Sequence, residues 1–172
     1  MCANGSLNMN LELVKNFHAI VNTFWSDGGG RYLFGTGPDL AIRGDGSISP
    51  IHAYSTMDGF EFNPKPNTLL YTYFGEYYFG KNVIIDTAGK LAGYGYTGSS
   101  NGQNRSIQEI TFGASQTFWK DAKWGALQFM AQYAWYNRYP WFVASGQPKD
   151  AHNSTVFLNL RYSLPGGAPN IK

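Results

Sequence analysis

Residues 106–137 read SIQEITFGASQTFWKDAKWGALQFMAQYAWYN, and this stretch decides the fold. Successive side chains of a β-strand point to opposite faces, so a strand with one apolar face alternates apolar and polar residues. Two runs alternate in this way, one on each side of the polar segment 120–123. The apolar positions are Ile110, Phe112, Ala114 and Phe118 in the first run and Leu127, Phe129, Ala131, Tyr133 and Trp135 in the second. The pattern predicts an antiparallel hairpin that turns at residues 120–123.

The same alternation recurs along the rest of the chain, in residues 7–25, 51–62, 68–79 and 153–164. Residues 7–25 form either one long strand or two strands joined near Lys15 and Asn16. Asp58-Gly59 predicts a β-bulge within 51–62. In 68–79 we assign the apolar side to the odd positions and the polar side to the even ones. These are Leu69, Tyr71, Tyr73 and Tyr77 against Thr68, Thr72 and Glu76.

Two weaker segments, 31–43 and 82–97, add up to two more strands. We therefore predict an all-β fold, an antiparallel meander of six to eight strands. Its connections alternate in length, because 63–67 and 120–123 are short whereas 26–50, 80–105 and 138–152 are long and rich in Gly, Ser, Asn and Pro. Short turns on one side and long loops on the other are typical of outer-membrane β-barrels.

Aromatic residues stand at both ends of the 106–137 hairpin. Phe118, Trp119 and Trp124 surround the short turn, and Trp135, Tyr136, Tyr139 and Trp141 cluster at the other end. Aromatic side chains collect where hydrocarbon meets water, so two such belts around an apolar band predict a strand pair that crosses a membrane.

The composition narrows the function classes. Only 14% of residues are charged, while 17% are aromatic. The sequence contains no run of about 18 apolar residues, which a transmembrane helix would need. The net charge of +2 comes without a basic stripe, so we expect no nucleic-acid partner. The single cysteine, Cys2, excludes an internal disulfide, and no metal-ligand spacing or cofactor motif is present.

Four segments carry a resemblance to a known class of protein. They are Phe24-Trp25-Ser26-Asp27-Gly28-Gly29-Gly30-Arg31-Tyr32, Gly93-Tyr94-Gly95-Tyr96, Thr117-Phe118-Trp119-Lys120 and Val156-Phe157-Leu158-Asn159-Leu160-Arg161-Tyr162. In composition and rhythm the chain resembles the C-terminal part of porin-like outer-membrane β-barrel proteins of Gram-negative bacteria. The resemblance implies a transmembrane barrel, an outer-membrane location and no catalytic residues. Because no secretory signal precedes the strands, we expect residues 1–172 to be one barrel domain that is an incomplete, C-terminal portion.

The predicted function is a segment of a channel for passive diffusion of small solutes, with the lipid bilayer as its main partner. Copies of the same chain are a further partner that we consider. The expected pore-lining residues are Glu76, Glu109, Gln128, Gln132, Asn159 and Arg161. A charge that faces hydrocarbon is costly, so Glu109 and Arg161 should both turn inward, where they could pair across strands or coordinate water.

Two alternatives come from other function classes. His152 and Ser154 would share one face of a strand, as in a small-barrel lipid hydrolase, but no neighbouring acid is identifiable to orient the imidazole. We therefore predict no enzyme. The second alternative is a soluble β-domain that binds a sugar or another small ligand on aromatic side chains.

Solvent exposure distinguishes the membrane interpretation from the soluble one. In a barrel wall, six side chains should point outward and stay exposed, whereas a soluble domain would bury them. They are Phe112, Leu127, Phe129, Tyr133, Leu158 and Leu160.

Overall fold

A computed structural model of the chain describes residues 3–33 and 37–165. Cys2 and the tail from residue 166 lie outside the described residues. In chain order the strands are β1 (Asn4–Val14), β2 (Phe17–Asp27), β3 (Leu40–Ile42), β4 (Ile48–Pro50), β5 (His52–Lys65), β6 (Thr68–Phe79), β7 (Asn82–Ile85), β8 (Leu91–Tyr94), β9 (Asn104–Asp121), β10 (Gly125–Pro140) and β11 (Ala151–Ser163). A 3₁₀ turn occupies Gly30–Tyr32. Among the described residues, no helix has the length and apolarity needed to cross a bilayer.

Seven long strands form one antiparallel sheet in the order β1-β2-β5-β6-β9-β10-β11. Each long strand pairs with the next long strand along the chain, so the fold is all-β and a meander, as predicted. The described residues of segments 31–43 and 82–97 add no strand to this sheet. They hold only the strands β3, β7 and β8, which are three or four residues long. β3 pairs with β4 and β7 pairs with β8, as separate hairpins within the long connections.

The predicted hairpin over residues 106–137 is confirmed, but its turn lies at 122–124 and not at 120–123, because Lys120 and Asp121 still pair with β10. β9 and β10 pair from Asn104↔Pro140 down to Asp121↔Gly125, and Phe112 lies opposite Tyr133 on one face. Asp121 shapes the turn, because its carboxylate accepts hydrogen bonds from the backbone N–H groups of Lys123 and Trp124 at 2.7 and 2.9 Å. Asp side chains commonly stabilise turns in this way.

Residues 7–25 are two strands joined by a turn at Lys15-Asn16. Asn16 adopts the left-handed conformation (φ 65°), which asparagine tolerates better than most residues. The backbone N–H of Asn16 also donates to the Glu12 carboxylate at 2.9 Å. An irregularity between Glu12 and Val14 shifts the pairing by one residue. Beyond it, odd-numbered residues of β1 pair with odd-numbered residues of β2. This is why the apolar phase continues unbroken through the turn.

Short and long connections alternate along the sheet. The turns at 15–16, 66–67 and 122–124 lie at one end, and the long connections 28–51, 80–103 and 141–150 lie at the other. We call these the turn end and the loop end.

Successive hairpins are staggered in one direction. The first residue of β2 pairs with Phe62 of β5, which continues to Lys65. The first residue of β6 pairs with Gln116 of β9, which continues to Asp121. A steady stagger of this kind accompanies strand tilt in curved and closed sheets. Within the described residues no pairing joins β1 to β11, so both outer strands present an open edge.

Candidate functional site

One face of the seven-stranded sheet is covered with large, exposed apolar side chains. The pairing registers place them on the same side from β1 to β11. They include Leu7, Met9, Leu11, Phe60, Phe62, Leu70, Phe74, Phe112, Tyr133, Val156, Leu158 and Leu160. We call this side the apolar face. The opposite side, the polar face, exposes far fewer large apolar side chains, Met57 and Phe157 among them.

The six side chains that we predicted to point outward all lie on the apolar face. Phe112, Tyr133, Leu158 and Leu160 are exposed, which confirms the prediction for these four. Leu127 and Phe129 are half-buried. Their strand lies between β9 and β11, and large neighbours such as Trp119 beside Leu127 cover part of each side chain. None of the six is enclosed in a core.

Aromatic side chains border the apolar face at both ends. At the loop end, Trp25, Tyr54 and Tyr78 lie side by side on β2, β5 and β6, and the Tyr54 and Tyr78 rings stack at 5.4 Å. At the turn end, the rings of Trp119 and Tyr162 pack at 5.8 Å. The sheet therefore carries an apolar band between two aromatic borders. Of the residues that we predicted for the loop-end border of the 106–137 hairpin, Tyr136 instead lies on the polar face, where it pairs with Glu109.

Glu76 lies on the apolar face, so our prediction that it lines the polar side is wrong. The register of β6 against β5 sets this, because Leu70 pairs with Phe62 on the apolar face and every even residue of β6 follows it. Both sides of β6 carry apolar residues, so alternation alone could not choose between them. Two donors satisfy the Glu76 carboxylate, the Tyr54 hydroxyl at 2.8 Å and the Gln108 amide at 2.9 Å.

Asp58 is a second acid on the apolar face, and sequence reasoning missed its position. Pairing continues without a shift through Asp58 and Gly59, so the predicted bulge there is wrong. Asp58 lies between Val21 and Phe74, and one of its oxygens accepts a hydrogen bond from Thr56 at 2.8 Å. Its other oxygen is buried without a hydrogen-bond partner, which is an unfavourable arrangement. The sequence could have shown this position, because Asp58, Phe60 and Phe62 are alternate residues of one strand and therefore share a face.

The polar face brings together the other five predicted lining residues, Glu109, Gln128, Gln132, Asn159 and Arg161. Several of them are held by neighbours. Glu109 accepts from the Thr111 hydroxyl at 2.8 Å, and Gln128 donates to Ser115 at 2.7 Å. Gln132 accepts from the Tyr71 hydroxyl at 2.9 Å. The structure thus confirms that these five share one side of the sheet.

The proposed pairing of Glu109 with Arg161 does not occur. Glu109 of β9 pairs with Tyr136 of β10, which in turn pairs with Asn153 of β11. Arg161 lies near the other end of β11, where it pairs with Gln128. Glu109 instead borders a depression of about 580 Å³ on the polar face, together with Met57, Tyr77 and Tyr136.

Tyrosines of β6 also belong to the polar face, contrary to our assignment of Leu69, Tyr71, Tyr73 and Tyr77 to the apolar side. The hydroxyl of Tyr73 donates to Glu61, and the rings of Tyr71 and Tyr73 pack at 5.2 Å. The hydroxyl of Tyr71 donates to Gln132, so two hydrogen bonds joined by a ring contact connect β5, β6 and β10. Such a network rigidifies the wall on its polar side.

His152 and Ser154 lie on the apolar face, as the alternation required. The Ser154 hydroxyl is 3.0 Å from the Tyr133 hydroxyl. The ion pairs of the described residues, Arg31 with Asp39 and His52 with Asp27, involve neither residue. The described part of the chain holds no group of three or more His, Cys, Asp or Glu side chains that could bind a metal ion.

No protein-family model matches the chain, and no curated protein and no solved structure match it.

Proposed function

We propose that the chain is part of the wall of a porin-like outer-membrane β-barrel through which small solutes diffuse passively. The observation that carries this proposal is the exposed apolar face with its two aromatic borders. Soluble monomers rarely expose a contiguous apolar patch larger than a few hundred Å². In a barrel wall the apolar face meets hydrocarbon, the aromatic borders meet the headgroups, and the polar face lines the water-filled interior.

The height of the apolar band supports the proposal. A strand rises about 3.3 Å per residue, so the stretch from Leu127 to Trp135, tilted by about 40°, spans roughly 20 Å along the barrel axis. The apolar band of outer-membrane barrels is ~25 Å tall. An open sheet edge is not tolerated in hydrocarbon. The proposal therefore requires that the edges of β1 and β11 be paired in the membrane.

Membrane insertion and conductance test the proposal together. The purified protein should need detergent for solubility, resist alkaline carbonate extraction from lipid vesicles, and give stepwise conductance in a planar bilayer. Extraction into detergent-free buffer as a monodisperse soluble protein, with no conductance, would overturn it.

Glu109 is the acid most suited to affect ion preference, because it borders the depression and, unlike Glu76, belongs to the polar face. We expect Glu109→Gln to lower the permeability ratio of K⁺ over Cl⁻ by about two- to fivefold. This corresponds to losing roughly 0.5–1 kcal/mol of attraction in a water-filled interior. Reversal potentials under a salt gradient measure the ratio.

Glu76→Gln is the matched control. Glu76 also borders this depression, but it sits on the neighbouring strand and its carboxylate lies on the opposite face, where it accepts from Tyr54 and Gln108. Glu76→Gln should leave the reversal potential unchanged. If both variants behave alike, the polar face is not the conducting surface.

Asp58 provides a stability test on the apolar face. Asp58→Asn removes a charge from the lipid-facing side, so we expect it to raise the free energy of unfolding in a bilayer by about 1 kcal/mol. Thr56→Val should act in the opposite direction, because it takes away the one hydrogen bond that the carboxylate receives. Urea titration of the protein in lipid vesicles measures both. A loss of stability in Asp58→Asn would mean that this surface faces a polar environment.

A further inference from the structure

Arg105 leaves the alternation of β9 at the loop end. Ser106 pairs with Tyr139 and Asn104 pairs with Pro140, so Arg105 is the extra residue of a β-bulge. Bulges redirect side chains and are common at barrel rims and beside functional sites. Here the redirected guanidinium lies over two aromatic rings, 5.5 Å from the centre of Tyr139 and 6.0 Å from that of Trp141.

The two rings under Arg105 are firmly held. Trp141 donates from its indole N–H to the Phe79 carbonyl at 2.8 Å and from its backbone N–H to the Gln103 carbonyl at 2.9 Å. The hydroxyl of Tyr139 accepts from the Asn137 amide at 2.8 Å. A platform whose rings are fixed in advance loses little conformational freedom when a ligand binds.

Gly95 lets Trp141 settle in this position. A Cβ atom at Gly95 would lie 2.7 Å from Cγ of the indole, and its φ of +76° also disfavours any other residue. The loop between β8 and β9 is therefore shaped around the ring.

The guanidinium of Arg105 has no hydrogen-bond acceptor or acidic partner among the described residues, and its side chain is exposed. Arg138, on the neighbouring strand, contrasts with it, since its guanidinium donates to Asn104 and to the carbonyl of Asn101. Arg138 thus fixes the loop, whereas the donors of Arg105 remain free. A planar guanidinium with free donors is well suited to a phosphate or carboxylate.

A second cation lies at the same place. Arg105, Tyr139, Trp141 and Lys149 line a cavity of about 410 Å³, within the size range of small-molecule sites. Asp150 is the acidic group on this lining and opposes anion binding. Phe142 and Val143 add an apolar wall that could contact the organic part of a ligand.

We propose that this cavity binds the phosphate group of a phosphate ester. Arg105 and Lys149 supply two positive charges, which suits a dianion better than a singly charged carboxylate. The aromatic and apolar wall covers the organic part of the ester. A soluble sugar phosphate and a lipid headgroup share this chemistry. The site rests on its own groups and does not depend on conduction through a channel.

The test uses the whole protein in non-ionic detergent micelles, where binding can be measured whether or not the protein conducts. One arm titrates glucose 6-phosphate by calorimetry, with acetate as the singly charged comparison. The other arm adds phosphatidic acid to the micelles and measures retained lipid by native mass spectrometry. We expect a phosphate ligand to bind in at least one arm and acetate to bind about tenfold more weakly.

Substitutions of the charged residues in the cavity show whether each one favours or opposes phosphate binding. Arg105→Gln should weaken phosphate binding by about tenfold or more, and Asp150→Asn should strengthen it. The control is Lys123→Gln, since Lys123 also lies over an aromatic ring, Trp124, but at the turn end. Binding in the first arm identifies a soluble ester and binding in the second a lipid. No binding in either arm, or equal loss in Arg105→Gln and Lys123→Gln, overturns the proposal.

Discussion

Replacing Leu158 by arginine is expected to lower the free energy of unfolding in a lipid bilayer by about 2–4 kcal/mol. Leu158 lies on the apolar face near the middle of β11 and is 69% exposed. In a bilayer this exposed surface meets hydrocarbon, so a guanidinium there must be desolvated or must distort the lipid to reach water. In water the same substitution on an exposed position would cost little. The size of the loss therefore reports on the environment of the apolar face.

Phe157→Arg is the matched control for this experiment. Phe157 is the preceding residue, is large, apolar and 48% exposed, and points to the polar face. Both variants are unfolded by urea in vesicles and, in parallel, in non-ionic detergent. We expect a loss of less than ~1 kcal/mol for Phe157→Arg, since its side chain would meet water. Equal losses for the two variants in vesicles would contradict the assignment of the two faces.

The strand order and the hairpin at 106–137 could be read from the sequence, because each arm alternates cleanly and polar residues mark the turn. β6 was different. Its even residues Leu70 and Phe74 are as apolar as its odd residues Leu69 and Tyr73. Only the pairing with β5 decides whether the even or the odd residues of β6 lie on the same face as Phe62. Alternation within β6 carries no information about this pairing between strands. The wrong side for Glu76 follows directly from this.

Part of the polar face could be predicted from alternation. Glu109, Gln128 and Arg161 lie on strands with one clearly apolar side, so their direction followed from alternation. Arg105 could not be found in this way, because a bulge removes it from the alternation. Its aromatic partner Trp141 was assigned to a membrane border, and nothing in the local sequence relates the two residues.

Glycines of the polar face explain a further difference between expectation and structure. Asp58-Gly59 predicts a bulge, yet Gly59 pairs regularly with Tyr73. The glycine is needed for a different reason, which is close packing. A Cβ atom on Gly59 would lie 2.3 Å from the Thr72 carbonyl oxygen and 2.4 Å from the Tyr73 ring. The carbonyl belongs to the paired backbone of β6 and cannot move without disturbing the β5-β6 pairing.

Gly59→Ala is therefore expected to lower the free energy of unfolding by about 2–3 kcal/mol, in the upper part of the usual cost of overpacking, because the site cannot relax. Gly75→Ala is the matched control on the same face of the partner strand. A Cβ atom there would meet its nearest neighbour, the Thr56 carbonyl oxygen, at 3.9 Å. Because alanine has less conformational freedom than glycine in the unfolded chain, Gly75→Ala should leave the free energy of unfolding unchanged or raise it by about 0.5 kcal/mol. Urea midpoints in detergent and in vesicles should give the same order, because the clash lies within the sheet and does not depend on lipid. If Gly59→Ala is as stable as Gly75→Ala, then the close approach of Gly59 to β6 does not restrict this position, and the tight β5-β6 packing would have to be given up as the reason for the glycine.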